Sequence, residues 1–199
     1  MKKITRTLAG AMTLALVFSG PPLFAQEAKT ESGKSEKDWK SMKKEAKRAE
    51  IDAMAGAALD RLLKENPKAK ELYNRAYGWA AFDNLKIGAG ISGGGGKGVA
   101  VSKESKKRTY MSMGSGGVGL TLGAQTYQVV FLFGDSRTYK KFIGSGWEAT
   151  AAASAAAGKG SGSQTDFVNG LAIFQIDATG LMASADISGT KYTVDKELN

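Results

Sequence analysis

Residues 88–98 read GAGISGGGGKG, and the fold turns on what these glycines are for. They contain a literal G-x-G-x-x-G at Gly88, Gly90 and Gly93, and they close on Gly96-Lys97-Gly98. A dinucleotide fingerprint needs a helix to open at its glycines and an acid further on for the ribose. Here more glycine follows, and each costs about 1 kcal/mol in a helix relative to alanine, so no helix opens. A phosphate loop, G-x-x-x-x-G-K-[ST], would put its first glycine at Ile91 and its hydroxyl at Gly98, so it fails twice. Counted by twos, Gly88, Gly90, Ser92, Gly94, Gly96 and Gly98 fall on alternate positions. In one continuous strand they leave a face almost without side chains. Such a row marks the close approach of another backbone or a sharp bend of the sheet. The candidates for the neighbour are an apolar stripe of helices or the opposite wall of a tight barrel; a turn at Gly93–Gly96 would instead cut the row in two.

The pattern recurs at Gly117, Gly119 and Gly123, and the run 149–155 (ATAAASA) is similarly small. Alternation predicts strands near 78–83, 85–93, 96–102, 109–114, 117–123 and 126–133, with SKESKKRT (102–109) as an exposed basic turn. YQVVFLF (127–133) has the β-branched and aromatic content of a buried central strand. Asp135-Ser136 caps a short helix that carries Tyr139, Phe142 and Ile143 and ends at Gly144 and Gly146. Strands follow at 147–157, 167–176, 181–187 and 190–194, with a flexible loop at 158–165.

Upstream of the glycines the period is helical. Ile51, Met54, Ala55, Ala58, Leu59 and Leu62 form one apolar stripe, continued more weakly through Trp39, Met42, Ala46 and Ala49. Asn66-Pro67 stops this helix and caps a second, running to about Ala76. Residues 26–37 are polar and aperiodic, as in a disordered leader. The first 25 residues have a basic start, an apolar run from Leu8 to Phe18, Gly20-Pro21-Pro22 and Ala25, the pattern of a secretory signal peptide. No cysteine follows it for lipid attachment. One domain is expected over 38–199, of class α+β: N-terminal helices packed on a glycine-rich, strongly curved antiparallel sheet or small barrel.

Composition narrows the chemistry. The chain has no cysteine and no histidine, which removes disulfides, thiol nucleophiles, Cys/His zinc sites and imidazole bases. Removing the first 25 residues takes three of the 28 basic residues and none of the 19 acidic ones, so the remainder stays basic. A basic exported protein meets anionic partners, lipid headgroups or envelope polymers. Asp83, Glu104, Asp135, Glu148, Asp166, Asp177 and Asp186 are scattered singly, without the paired spacing of a glycosidase. No enzyme, cofactor or metal is expected. Nor is nucleic acid, because the basic residues lack interleaved aromatics.

AYGWAAFDNLKIGAGISGGGGKGVAV, GGVGLTLGAQTYQVVFLF, GWEATAAASAAAGKG and GLMASADISGTKY resemble, in order, four motifs of the SYLF domain, also called the Ysc84-type or Las17-binding actin-regulator domain. The likeness covers roughly Ala76 to Tyr192. Asp83, Thr121, Thr150 and Ser188 depart from the family pattern, and Thr121 stands where a glutamine is usual. The resemblance implies a lipid-binding module. For an exported chain the transferable part is affinity for anionic membrane surfaces, at the periplasm or outside the cell. The segment Trp39, Lys40, Met42, Lys43, Lys44, Lys47, Arg48 has the composition of an interfacial helix, two apolar anchors among five cations. The bland alternative is that Trp39 and Met42 pack on the sheet while the lysines form a solvated face. Lys103, Lys106, Lys107 and Arg108 form a second basic patch, which also reads as an aggregation-blocking hairpin tip. The other reading is an envelope structural or protein-interaction component without lipid affinity, whose sheet edges accept a partner strand.

Overall fold

The computed structural model describes residues 24–144, 146–149, 165–177, 180–181 and 189–199. The chain falls into two compact units, Met1–Lys40 and Ser41–Asn199. Helix α1 spans Phe24–Glu65. It therefore takes in the polar segment 26–37, where Glu36 and Lys40 form an i,i+4 ion pair of 2.7 Å, a spacing that supports an exposed helix. Helix α2, Pro67–Arg75, starts as the sequence reads: Asn66 Oδ1 accepts from the Ala69 N–H at 3.0 Å, with proline at the first helical position.

The six strand segments read upstream and downstream of the basic turn are in fact two very long strands. They are β1, Gly78–Ser102, and β2, Arg108–Phe133, paired antiparallel from end to end. After them come α3 (Ser136–Gly144), β3 (Trp147–Glu148), β4 (Leu171–Asp177), β5 (Gly180–Leu181) and β6 (Thr190–Val194). On the edge of β2 away from β1, β6 pairs with Met111–Ser115 and β4 with Gln128–Phe133. The full order is β3-β6-β2-β4-β5, with β1 along the other side of β2. Residues 150–164 and 182–188, which hold the rest of the strands expected at 147–157 and 181–187 and most of the loop expected at 158–165, lie outside the described residues.

The ribbon of β1 and β2 bends back on itself, and the glycines show where. A Cβ at Gly94 would lie 2.8 Å from Leu85 O. One at Gly96 would collide with Asp83 O, one at Gly98 with Ala81 O and the Phe82 ring. At the far end a Cβ on Gly78 would lie 2.8 Å from Val101 O, and Lys103 N–H donates to Tyr77 O at 3.1 Å. These contacts converge on Ala89 and Gly90, where the register also shifts: Ala89 faces Leu122 but Ile91 faces Val118, so β2 takes two more residues than β1 to cross the bend. Gly123, beside it, has φ +96, a left-handed conformation that suits glycine at a bulge. The neighbour that the bare face admits is thus the opposite wall of the same strand. The carbonyls of Ala81, Asp83 and Leu85 rest where side chains would otherwise stand.

This curled α+β fold has two cores, one on each face of the sheet. On the outer face α1 and α2 bury Ile51, Ala55, Ala58, Leu59, Leu62, Ala69 and Leu72 against Ala81, Val99, Val101, Val130, Leu132 and Phe174. Inside the curl, Phe82, Met111, Met113, Val129, Phe131, Phe133 and Tyr192 meet Tyr139 and Phe142 of α3. The rings of Phe82 and Tyr192 are 4.7 Å apart and those of Phe133 and Phe142 5.0 Å, distances at which aromatic pairs add to simple area burial. Alternation along YQVVFLF delivers Val129, Phe131 and Phe133 to one core and Val130 and Leu132 to the other. That is why this strand reads as continuously apolar.

Candidate functional site

The basic segment of α1 divides by what its cations do. Trp39 and Met42 are 57% and 62% exposed, and Met42 belongs to neither core. Lys40 pairs with Glu36, and Lys47 with Glu50 at 2.9 Å. Both pairs are solvent-exposed, contribute little to stability and dissolve readily in favour of another anion. Lys43 is exposed. Lys44 and Arg48 are half-buried and hold the chain's last described turn. Lys44 Nζ donates to Asn199 O at 2.9 Å and Arg48 Nε to Leu198 O at 2.6 Å, and the Arg48 guanidinium lies 5.4 Å from the centre of the Tyr110 ring.

The second basic patch also divides. Lys103 is a structural residue: its ammonium donates to Tyr73 O at 2.6 Å and to Asn74 O at 3.3 Å, and stands over the Tyr73 ring. Desolvation and then the neighbouring Lys106 charge push its pKa down. Arg108 pairs with Asp52 of α1 at 3.3 Å, and the other oxygen of Asp52 accepts from Tyr110 OH at 3.0 Å. The Tyr110 phenol is pushed up, first by burial and then by this carboxylate. Lys106 and Lys107 remain exposed at the tip of the turn. Tyr110 therefore links the two basic stretches, touching Arg48 and Asp52 on one side and following Arg108 on the other. Sequence reading passed over Asp52, Tyr110, Leu198 and Asn199. No local pattern announces them, since each acts across the tertiary fold.

Several of the scattered carboxylates sit against named partners. Asp135 caps α3 through the N–H and hydroxyl of Thr138, both at 2.9 Å, and these bonds hold its carboxyl below the usual range. Asp166 meets Arg75 at 3.3 Å, and Glu148, exposed on β3, faces Lys191 across the strand pair. Asp186 lies outside the described residues. Lys97 Nζ does stand 2.9 Å from Ser112 Oγ, the distance of a serine–lysine dyad. The same ammonium is bound by the Asp195 carboxylate, which also accepts from Ser112. A lysine held in this way donates protons to its partners and does not take one from serine. Among the described residues no cluster of three or more acids is placed to hold a metal, and no helix is long and apolar enough to cross a membrane.

The free edge of β1, a possible site of strand addition, is covered along Ala81–Leu85 by its own glycine row. What is left open is the outer surface near the bend, where Leu85 and Ile87 are 43% and 56% exposed.

Residues 114–199, which begin in β2 and run through β6, match the family model Ysc84, described as Las17-binding protein actin regulator. This part of the chain is a Ysc84-type, or SYLF, domain. Beta cell expansion factor A of Aeromonas veronii is 44% identical over 156 residues, covering 78% of this chain. The chain spans 59% of the length of that relative. The family match starts within β2, so β1 and the glycine row lie before it, although they build the same curled sheet.

Proposed function

We propose that the protein is an exported, non-catalytic module that binds anionic membrane surfaces of the cell envelope through residues 39–48. The observation that carries this reading is the exposure of Trp39 and Met42 amid cations, at positions where a purely structural helix buries its large apolar residues. Lys40 and Lys47, in exposed ion pairs, and the exposed Lys43 are the cations that would turn toward a headgroup, each worth about 1 kcal/mol near an anionic surface. Lys44 and Arg48 orient the helix by holding the 195–199 turn. Membership of the SYLF family supports lipid as the partner class. Co-sedimentation with phosphatidylglycerol and phosphatidylcholine vesicles tests the reading: binding confined to the anionic vesicles, weakened by salt and by Trp39→Ala, is expected. Equal binding to both, or none, removes it.

The exposed Leu85 and Ile87 favour a second reading, a protein-interaction component without lipid affinity. A pull-down from envelope extract that survives lipid removal and is lost in Ile87→Ser would favour it over the first.

A further inference from the structure

Inside the curl, beside the aromatic core, stands a set of polar groups that the protein itself does not satisfy. Asn84 is 1% exposed, and among the described residues neither its Oδ1 nor its Nδ2 has a hydrogen-bond partner. Ser115 Oγ and Tyr192 OH are likewise buried and unpartnered. A buried amide or hydroxyl left without a partner forfeits its hydration, and native folds rarely leave one so.

The topology brings them together. Asn84 faces Tyr127 across the β1–β2 pair, and its Oδ1 lies 2.5 Å from where a Cβ of Gly96 would be. Ser115 faces Gly94, and its Oγ lies 2.7 Å from the corresponding point there. Gly94 and Gly96 are successive positions on one face of the strand, about 7 Å apart. Tyr192 closes the group: its ring touches Phe82, two residues before Asn84 on the same face, and its phenol is pushed up by burial and by Tyr127. None of the three makes a hydrogen bond to another. The inner row of small residues keeps the wall between Asn84 and Ser115 free of side chains.

We propose that Asn84, Ser115 and Tyr192 form an internal receptor for a small neutral group that carries both a hydrogen-bond acceptor and a donor, such as a carboxamide. The acceptor takes the Asn84 Nδ2–H and the Ser115 hydroxyl proton, and the donor meets Asn84 Oδ1 or the Tyr192 oxygen. Neutrality follows from the walls. Phe82, Met113 and Val129 are apolar, and the nearest cation along the strand, Lys86, is only half-buried toward the bend. An ion placed here would lose more hydration than three neutral groups return. This site is separate from the basic segment of α1 and stands or falls apart from membrane binding.

The test uses the full chain, 15N-labelled, titrated with acetamide and in parallel with acetate, its anionic isostere, with the Asn84 side-chain amide followed by NMR. Acetamide should shift the Asn84 amide saturably and acetate should not. Ser115→Ala should weaken the apparent affinity about threefold to tenfold, the loss of one hydrogen bond, and Asn84→Leu should abolish it. Should Asn84→Leu fail to fold, Ser115→Ala and Tyr192→Phe, which each remove only a hydroxyl function, carry the comparison. The proposal is overturned by an Asn84 amide whose cross-peaks go only to a long-lived water and do not move with acetamide. Equal responses to acetamide and acetate, or affinity unchanged in Ser115→Ala and Tyr192→Phe, overturn it too.

Discussion

Gly95 and Gly96 are neighbours in one strand and do opposite things. Gly96 faces into the curl, where a single added carbon would collide with Asp83 O and with the Asn84 side chain. Gly95 faces out, directly opposite Gly114, and a Cβ there meets nothing nearer than 3.7 Å, while Gly114 has open space. Gly93 and Gly116, the next outward pair, are as open. One residue type thus serves two physical roles that alternate along the chain. The inner row is a steric requirement of closure, and the outer row is a smooth exposed surface that the fold does not demand.

The sharpest way to break this comparison is to fill one position of each row. Gly96→Val places three carbons where even one does not fit, against backbone that cannot swing aside. We expect a loss of about 3 kcal/mol or more, at or beyond the upper end of ordinary overpacking, and frequent failure to fold. Gly95→Val should fold normally. Urea denaturation of both variants decides it: equal midpoints would show that the two halves of β1 do not close on each other.

Next in size is the core that the inner row makes possible. Phe82 lies against the glycine at 98 and meets Phe131, Phe142 and Tyr192 at ring distances of 4.7–6.1 Å. Phe82→Ala should cost about 3–5 kcal/mol, as truncation of a fully buried aromatic does. Ile87→Ser on the outer surface should change stability by about 0.5 kcal/mol or less. A denaturation midpoint for Ile87→Ser as low as that of Phe82→Ala would mean that the outer surface of the bend is covered.

How much of this could be read from residues alone follows the range of the interactions. The alternating glycines of 88–98 disclosed a bare face, and the period of 51–62 disclosed the helix that covers the outer core, because both are local patterns. Asn66-Pro67 announced the α2 cap for the same reason. The identity of the neighbour over the bare face was left between helix and opposite wall, since Ala81–Gly98 and Asp83–Gly96 are contacts whose partners only the bend at Ala89–Gly90 brings together. That bend also explains why six short strands were expected where two long ones run: bulged, glycine-rich strand reads as interruption. In the basic segment, composition gave the cations but not their occupations. Lys44 and Arg48 are engaged by carbonyls some 150 residues away in the chain, which no window of sequence contains. Asn84 was missed, because strands read at 78–83 and 85–93 left it in a break, whereas the continuous β1 carries the alternation of Ala80 and Phe82 on to it and so places it inside.

Beyond the open glycines, the outer surface continues into a polar cluster, and this gives a pH test of the same contrast. Asp195 is desolvated, which raises its pKa. The hydrogen bonds from Lys97, the Leu198 N–H and Ser112 together outweigh that and hold it below the usual carboxylate range. Its stabilising contribution is therefore fully present above about pH 4, the unfolded value, and is lost as pH falls through the lower folded value. Asp195→Asn should lower the urea midpoint at pH 7, and the gap to the parent should close as pH falls toward 2. A gap that stays constant with pH would assign the loss to geometry and not to charge. Among the described residues the inner core offers no such group in this range: burial pushes the Tyr139 phenol up to about 12, so the described inner face should be insensitive to pH from 4 to 9.

The smallest effect expected is also the one that most directly measures the outer row. Gly95→Thr adds a β-branched side chain at an exposed strand position whose φ lies outside the left-handed region, so no backbone strain accompanies it. Glycine in a strand is unfavourable because it loses more backbone freedom on folding. Gly95→Thr should therefore stabilise the protein, by up to about 1 kcal/mol, and Gly114→Thr opposite it should do the same. Made together, the two threonines face each other across the β1–β2 pair and should add a further coupling of about 0.2–1 kcal/mol. A double-mutant cycle on urea midpoints reads that coupling. If both single variants are instead destabilising while vesicle binding is also lost, the smooth outer row is in use as a contact surface. The two rows would then differ in what lies over them, the protein's own strand inside and a partner outside.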